Sequence, residues 1–425
     1  MLRSVWRVMQ PVLPVLIGIT LIETALGILM PLIGIQLARW GVSSIVVGVA
    51  ASAYFVGFLA GTLFCQRIIK RVGHIRAFGV FVVLAADATV LHLVFQDAYF
   101  WIALRAIAGF ALAGGFVVIE SWLNDKSTDE TRSRIFAIYT AVSWGASGVS
   151  PLLLNLDDPT GILLFALCVL CLASAMIPLG LTKIGNPVIA EHTHLSIPRL
   201  FKASPLGVVC CFGAGFLNGA LYGLLPAYID GLAMGEKELS FLISIGTIAV
   251  LIAQFPIGHA ADIHGRRPII IGTVSASALL CFIIFATPEL PYMFLLALFF
   301  LLSAFQSPLY ALGIGQTSDY VARKDFVAAS SGLLFAWGLG ASAGPSLAGL
   351  AMNEMGPRAL FLFVGCGYAL ITAFALYRVL RRKAKMPQEQ GNFVAVPPVQ
   401  GAYGAPELDP RGEHMPHVGA RVQSD

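Results

Sequence analysis

Residues 66–76 read Gln-Arg-Ile-Ile-Lys-Arg-Val-Gly-His-Ile-Arg, and residues 258–267 read Gly-His-Ala-Ala-Asp-Ile-His-Gly-Arg-Arg. Each stretch leaves a long apolar run, crosses a short polar turn that contains a glycine, and enters the next apolar run. The two stretches occupy matching places in the two halves of the chain. A polar turn repeated in this way indicates a bundle of membrane helices built from two repeats.

The composition also indicates a membrane protein. Of the 425 residues, 57% are hydrophobic and only 12% are charged, and the mean hydropathy is +0.82. An average soluble domain has about 25% charged residues. The formal net charge of +4 is small, so we expect no nucleic-acid partner, and membrane lipid is the expected surroundings.

The apolar runs predict an all-α integral membrane protein with twelve transmembrane helices. Each run is close to the roughly 20 residues that cross a bilayer. Six precede a polar central stretch and six follow it, which predicts two six-helix repeats. The predicted helices cover residues 12–37, 45–66, 77–95, 99–123, 135–155, 161–182, 207–229, 239–260, 268–286, 291–314, 326–352 and 358–380.

The domain boundaries follow from the polar segments between the apolar runs. Residues 1–182 form the predicted N-terminal bundle, and residues 207–385 form the C-terminal bundle. Residues 183–206 are the predicted cytoplasmic linker. Residues 386–425 are rich in proline and glycine and have no periodic apolar face, so they are predicted to be a disordered cytoplasmic tail.

The loops on the two sides of the predicted bundle differ in charge. Lysine and arginine are concentrated in the loops on the side of the two polar turns, whereas the other side has only Arg39, Lys237 and Arg358. Cytoplasmic loops carry the excess of basic residues. The two turns and both termini are therefore predicted to be cytoplasmic.

Three charged residues lie well inside the predicted helices of the first half. Glu23 lies near the middle of the first helix, Asp87 near the middle of the third, and Arg105 on the fourth, about 10 Å from its outer end. Charged groups inside a bilayer are costly and usually face a cavity or a partner. All three are therefore candidates for a functional role.

The two turns and the six-plus-six layout resemble the major facilitator superfamily. Its signature turn is Gly-x-x-x-Asp-Arg/Lys-x-Gly-x-x-Arg/Lys. The second turn matches at Gly258, Asp262 and Gly265, with Ile263 in place of the usual base, and its basic residue Arg266 directly follows the second glycine. In the first turn, Arg71, Gly73 and Arg76 match, but Gln66 replaces the glycine and Lys70 the aspartate.

Other stretches resemble one branch of that family. The fourth helix contains Arg105-Ala106-Ile107-Ala108-Gly109, an arginine followed by small residues as in a second family signature. Together with Glu120-Ser121 and Gln254-Phe255-Pro256-Ile257-Gly258, this segment is most similar to the YcaD-type bacterial transporters. The resemblance implies a multi-pass protein of the bacterial inner membrane, expected to be a monomer.

The resemblance also implies which helices line a central cavity. In the family fold, the first and fourth helices face the seventh and tenth across it. Glu23 and Arg105 are then either a pair or a proton site beside a substrate-binding cation; the alternative is a structural ion pair. The opposite wall offers the substrate-binding candidates Asn218, Tyr222, Gln306 and Tyr310, some of which could instead only join helices by hydrogen bonds.

The third helix lies towards the periphery of the family fold. Asp87 is therefore expected to make a packing hydrogen bond to a neighbouring helix, and its part in proton coupling is the less favoured alternative.

The signature turns are candidates for a gate. Gly73 and Gly265 permit a tight turn. Asp262 can accept hydrogen bonds from helix N-terminal amides, whereas the ammonium of Lys70 cannot accept any. Glu120 is therefore a candidate partner for Lys70 or Arg71. The alternative is that these basic residues only set the topology.

No enzyme motif is present in the sequence. There is no phosphate loop with Gly-Lys-Ser/Thr, no His/Glu metal motif and no nucleophile elbow. We expect neither a cofactor nor a metal site. The expected function is secondary transport of a small organic molecule, with protons as the coupling ion and efflux favoured over metabolite uptake. A non-transporting assembly factor or sensor of the same fold is the alternative from another class.

Overall fold

The protein is a bundle of long helices. A computed structural model describes residues 10–128, 131–182, 196–322, 325–381 and 390, and no strand occurs within these ranges. Twelve helices in them are long and apolar enough to cross a membrane, which confirms the predicted fold class. They are α1 (Leu13–Arg39), α2 (Ser44–Val72), α3 (His74–Val94), α4 (Ala98–Lys126), α5 (Arg132–Val149), α6 (Leu163–Gly180), α7 (Pro205–Gly231), α8 (Glu236–His264), α9 (Arg266–Ala286), α10 (Tyr292–Ser318), α11 (Phe326–Met355) and α12 (Ala359–Arg381).

The second and eighth helices are longer than the apolar runs predict. α2 continues through the polar residues to Val72, and α8 continues to His264. Both end at a glycine, and the amide of Gly73 still donates to the Ile69 carbonyl at 2.9 Å. The charged part of each turn is therefore helical, and the chain reverses only at the glycine.

Two spanning helices are interrupted near a proline. After α5, residues Ser150–Leu156 form a 3₁₀ helix with Pro151 at its start, and α10 is broken at Ser307 and Pro308 between segments Tyr292–Gln306 and Leu309–Ser318. Proline has no amide to donate and clashes with the preceding turn of a helix. The apolar runs alone predicted both helices as continuous.

The predicted linker and tail fall mostly outside the described residues. Residues 183–195 and all of the tail except Gln390 belong to the part of the chain that is not described. The last part of the linker contains a short helix, Ile197–Ala203, directly before α7.

The two halves approach each other most closely where α2 meets α11. A methyl group on Gly48 would meet the backbone of Pro345, and one on Gly349 would meet the Ser44 carbonyl. Ser346 also donates from its hydroxyl to the Ser52 hydroxyl at 2.8 Å. These contacts lie at the end of the bundle where α2 begins. We call it the opposite end, and we call the end with Gly73 and Gly265 the turn end.

Candidate functional site

A cavity of about 100 Å³ lies between the two halves of the bundle. α1, α2 and α4 supply its wall from the first half, and α7 supplies the wall from the second. Two predicted substrate-binding residues, Arg105 and Tyr222, both line it and are its longest polar side chains. The full lining is Met30, Ile33, Gly34, Leu37, Val47, Ala50, Ala51, Phe55, Arg105, Gly219, Tyr222 and Gly223.

The guanidinium of Arg105 is buried against apolar and aromatic groups. The residue is 3% exposed. Nη2 donates to the sulfur of Met30, and Cζ lies 4.6 Å from the centroid of the Tyr54 ring. Nη1 has no hydrogen-bond partner among the described residues. A cation therefore faces the cavity with contacts to a thioether and a ring but with no carboxylate beside it.

The predicted pairing of Glu23 with Arg105 is not seen in this conformation. Arg105 contacts Met30, which follows Glu23 by about two helical turns, or roughly 10 Å along α1 towards the opposite end. No ion pair joins Glu23 and Arg105 within the described ranges. Glu23 is 7% exposed and lies close enough to the hydroxyls of Tyr54 and Tyr139 to act on them electrostatically.

The polar candidates of the second half divide into two sets. The Tyr222 hydroxyl lies 3.4 Å from Ser303 Oγ, and Gln306 Oε1 accepts from the Tyr368 hydroxyl at 2.8 Å. Gln306 therefore contacts Tyr368 of α12 and is not part of the cavity wall. Asn218 is half-buried and Tyr310 is buried, and neither is part of the cavity wall.

Glu120 and the basic residues of the first turn differ in burial. The Glu120 side chain is 3% exposed, whereas Lys70 and Arg71 are exposed. Glu120 also lies within electrostatic range of Tyr139 on α5 and Tyr310 on α10. Its partnership with Lys70 or Arg71 stays a prediction.

The two turns have the same backbone conformation. Gly73 has φ +84° and ψ 163°, and Gly265 has φ +86° and ψ 153°. This region is essentially restricted to glycine. The turn geometry is therefore the one that the glycines of the motif predict.

The residue that follows each glycine anchors the turn differently. Arg266 is 1% exposed, forms an ion pair with Asp319 at the end of α10, and donates from Nη1 to the Gly315 carbonyl at 2.8 Å. His74 is 2% exposed and lies over Trp122, with ring centroids 6.2 Å apart. Neither ring nitrogen of His74 has a hydrogen-bond partner among the described residues.

Other members of the motif are closer to solvent or to the bundle surface. Arg76 is exposed, Asp262 is half-buried and Gly258 is buried. Sequence reasoning did not identify Asp319. Its signal was a lone carboxylate at the end of a membrane helix, on the same side as a basic turn.

Polar contacts join the two halves at the opposite end. Arg39, at the end of α1, forms ion pairs with Asp158, at 3.3 Å, and with Glu236 at the start of α8. Asn155 Nδ2 donates to Ser240 Oγ at 2.9 Å. Sequence reasoning used Arg39 only as a topology signal and missed this contact.

Hydrogen bonds stabilise the carboxyl group of Asp158 in its ionised form. The hydroxyl and amide of Thr160 donate to Asp158 at 2.7 and 2.8 Å. These hydrogen bonds, followed by the nearby Arg39, hold the pKa of the Asp158 carboxyl below its usual value. Asp158 is therefore charged for its contact with Arg39 across the neutral pH range.

Asp87 lies away from the cavity. It is exposed on the outer face of α3, in line with the exposed residues Val80, Val83 and Val90. Among the described residues it has no hydrogen-bond or ion-pair partner, so the predicted packing contact to a neighbouring helix is wrong. Its position also separates it from Glu23 and Arg105.

The described residues contain no group of three or more His, Cys, Asp or Glu that could hold a metal ion. The cavity presents the guanidinium of Arg105 and the phenol of Tyr222, and the buried carboxylates of Glu23 and Glu120 are not part of its lining.

Comparison with known proteins places this bundle in a family. The sequence model described as Major Facilitator Superfamily matches residues 15–235 and again residues 207–408. The chain belongs to the Major Facilitator Superfamily. The two matches correspond to the two six-helix halves, which confirms the predicted family and its duplicated architecture.

Curated relatives come from the predicted branch. The chain is 28% identical over 382 residues to the uncharacterized MFS-type transporter YcaD of Escherichia coli (strain K12), a match that covers 89% of this chain and 97% of the relative. The YcaD protein of Salmonella newport is similar to the same extent. The chain is therefore a multi-pass membrane protein of a transporter family.

Solved structures of transporters share the fold. The nucleoside transporter NupG superposes with a TM-score of 0.71 at 14% identity, covering 88% of this chain and 99% of that one. A bacterial homologue of the human lysosomal transporter Spinster, in an inward-facing and occupied conformation, has a TM-score of 0.67 at 14% identity, covering 89% and 97%. At these identities the similarity shows the fold alone.

Proposed function

We propose that this facilitator-family transporter moves a small organic molecule through the cavity between its halves, driven by protons. The observation that carries the proposal is that Arg105 from the first half and Tyr222 from the second line the same cavity. A site shared by two rocking halves can face either side of the membrane in turn. The substrate is then released when the halves separate.

The contacts at the opposite end support a conformation closed there. Arg39 pairs with Glu236, Ser346 donates to Ser52, and both contacts join residues of different halves. In the proposed cycle these contacts break when the cavity opens to that end. From the distribution of basic residues, we infer that the turn end and both termini are cytoplasmic and that the protein resides in a bacterial inner membrane.

Glu23 is the proposed coupling residue. It is the carboxylate of α1, is 7% exposed, and acts on tyrosines of α2 and α5. A buried carboxylate that gains and loses a proton changes the charge of the site by one unit. Protonation of Glu23 would then be coupled to transport of the substrate bound at Arg105 through Tyr54, which both residues approach. We place efflux ahead of metabolite uptake and propose a monomer.

The test is proton movement by purified protein in proteoliposomes, measured across a panel of small organic compounds. We expect one compound class to move protons with wild type and not with Glu23→Gln. The matched control is Glu354→Gln, which removes an exposed carboxylate at the opposite end and should behave as wild type. Equal proton movement by wild type and Glu23→Gln would overturn the assignment of Glu23.

A further inference from the structure

We propose that the cavity binds a small organic monoanion, with a carboxylate or similar acidic group held by Arg105. The proposal rests on the proposed function, because it names the class of molecule that the transport cavity takes. It is carried by one structural fact: a buried cation faces the cavity with an unused donor and no neutralising partner among the described residues.

All contacts of the Arg105 head group are to uncharged groups. They are the sulfur of Met30 and the face of the Tyr54 ring. His92 of α3 is the other titratable side chain within electrostatic range, and it hydrogen-bonds its own helix at Ala88. Glu23 is about two turns away along α1. The described residues therefore supply no carboxylate to this guanidinium.

A buried charge without a partner is costly, and proteins retain it where a ligand completes the pair. Arginine suits this role because its fork of donors matches a carboxylate, with two parallel hydrogen bonds. Nη1 is free to form such a bond. The cavity therefore lacks the negative partner that its own cation requires.

The remaining wall sets the size and polarity of the rest of the ligand. Apart from Arg105 and Tyr222, the cavity is lined by aliphatic, methionine, phenylalanine and glycine residues. Its volume is about 100 Å³, smaller than the roughly 150 Å³ cavity that holds a benzene molecule. The ligand that fits this closed form is a short acid with about four to six non-hydrogen atoms and an apolar chain.

The test is equilibrium binding by isothermal titration calorimetry on the full-length protein in detergent. The probes have nearly the same size and differ in charge: butyrate and ethanesulfonate as anions, butyramide as a neutral analogue, and butylammonium as a cation. We expect the two anions to bind wild type at least tenfold more tightly than the amide, and we expect no binding of the cation. Equal affinity for butyrate and butyramide would overturn the proposal without any variant.

Three variants locate the binding. Arg105→Met, which removes the charge but keeps much of the volume, should abolish anion binding. Arg105→Lys keeps the charge, fits the site more conservatively and should weaken binding at least tenfold. Lys237→Met removes an exposed cation outside the cavity and should bind as wild type. Unchanged binding of butyrate by both Arg105 variants, or no binding of either anion by wild type, would reject the anion site.

The measurement also separates this inference from the proposed function. If wild type binds the anions but moves no compound across a membrane, the ligand class stands and transport fails. If wild type transports only neutral or cationic compounds and binds neither anion, transport stands and the ligand class is wrong. Glu23→Gln should retain anion binding in either case, because Glu23 is not in contact with Arg105.

Discussion

The two polar turns have one backbone conformation and two different anchors. Gly73 and Gly265 agree within a few degrees in φ and within about ten in ψ. After Gly265, Arg266 forms a buried ion pair with Asp319, whereas after Gly73, His74 lies against the ring of Trp122. The repeat has therefore kept the turn and changed what attaches it to the neighbouring helix.

The difference matters because the two kinds of contact respond differently to change. A buried ion pair is sensitive to the loss of either partner, since the remaining charge is left without compensation. A ring contact depends on shape and area and tolerates another ring of similar size. We infer that the turn of the second half is held to its neighbouring helix by a charged contact, and the turn of the first half by ring packing.

The largest predicted effect comes from breaking the charged anchor. Asp319→Ala should lower the free energy of unfolding by about 3–5 kcal/mol, because Arg266 would remain buried without its carboxylate. Thermal and denaturant unfolding in detergent would measure the loss. Asp319→Asn, which keeps the shape of the side chain, should also lower the free energy of unfolding, by a smaller amount. A loss below about 1 kcal/mol for Asp319→Ala would contradict the asymmetry between the turns.

The two turns should respond alike to substitution of their glycines, because Gly73 and Gly265 have the same backbone conformation. Gly73→Ala and Gly265→Ala should each cost about 1–3 kcal/mol, since the conformation at both positions is unfavourable for any residue with a side chain. The control is Gly145→Ala, inside α5, where a methyl group meets no atom within 4 Å. Unfolding measurements that show a cost at only one turn would mean that the backbones differ.

The exposed ion pairs of Arg39 at the opposite end should contribute less to the free energy of unfolding than the buried ion pair at the turn end. Arg39→Gln removes ion pairs whose arginine side chain is 34% exposed, and exposed pairs contribute about 0.2–1 kcal/mol. We expect a small change in unfolding but a larger change in the conformational equilibrium. Thiol labelling of an Ala51→Cys probe in the cavity wall should become faster in Arg39→Gln, with Lys237→Gln as the control. Unchanged labelling would remove Arg39 from the proposed closure.

The smallest predicted effect is at the ring anchor. His74→Phe should change the free energy of unfolding by less than about 1 kcal/mol, because neither ring nitrogen has a hydrogen bond among the described residues and the contact with Trp122 is retained. The result is to be compared with Asp319→Ala under the same unfolding conditions. A loss as large as that of Asp319→Ala would show that the histidine nitrogens have an essential partner.

Local pattern was sufficient to predict the helices and part of the site. Apolar length places all twelve spanning helices, and the glycines at 73 and 265 mark the turns because backbone conformation depends on a single residue there. Arg105 could be singled out because a charge on an apolar helix usually faces a cavity or a partner. Tyr222 was predicted from the family resemblance, which places the seventh helix at the cavity. The helices, the turns and the choice of Arg105 depend on near neighbours in the chain.

The features that could not be predicted depend on the rotation of a helix about its own axis and on contacts between residues that are far apart in the chain. Asp87 was expected to hydrogen-bond a neighbouring helix, but α3 turns it outward beside Val83 and Val90. Glu23 and Arg105 lie on helices that are both near the cavity, yet they differ by about 10 Å along the bundle axis. The contact of Arg266 with Asp319 joins helices whose register a single sequence does not specify.

The most direct test of the account is proton movement in proteoliposomes with ethanesulfonate, a permanently charged anion that crosses lipid poorly on its own. Wild type, Glu23→Gln and Arg105→Met would be compared, with protein-free liposomes as the blank. The account predicts anion-dependent proton movement by wild type and none by either variant, because one lacks the proton site and the other the anion site. Proton movement that persists in both variants would contradict the claim that the cavity between the halves is where substrate and proton meet.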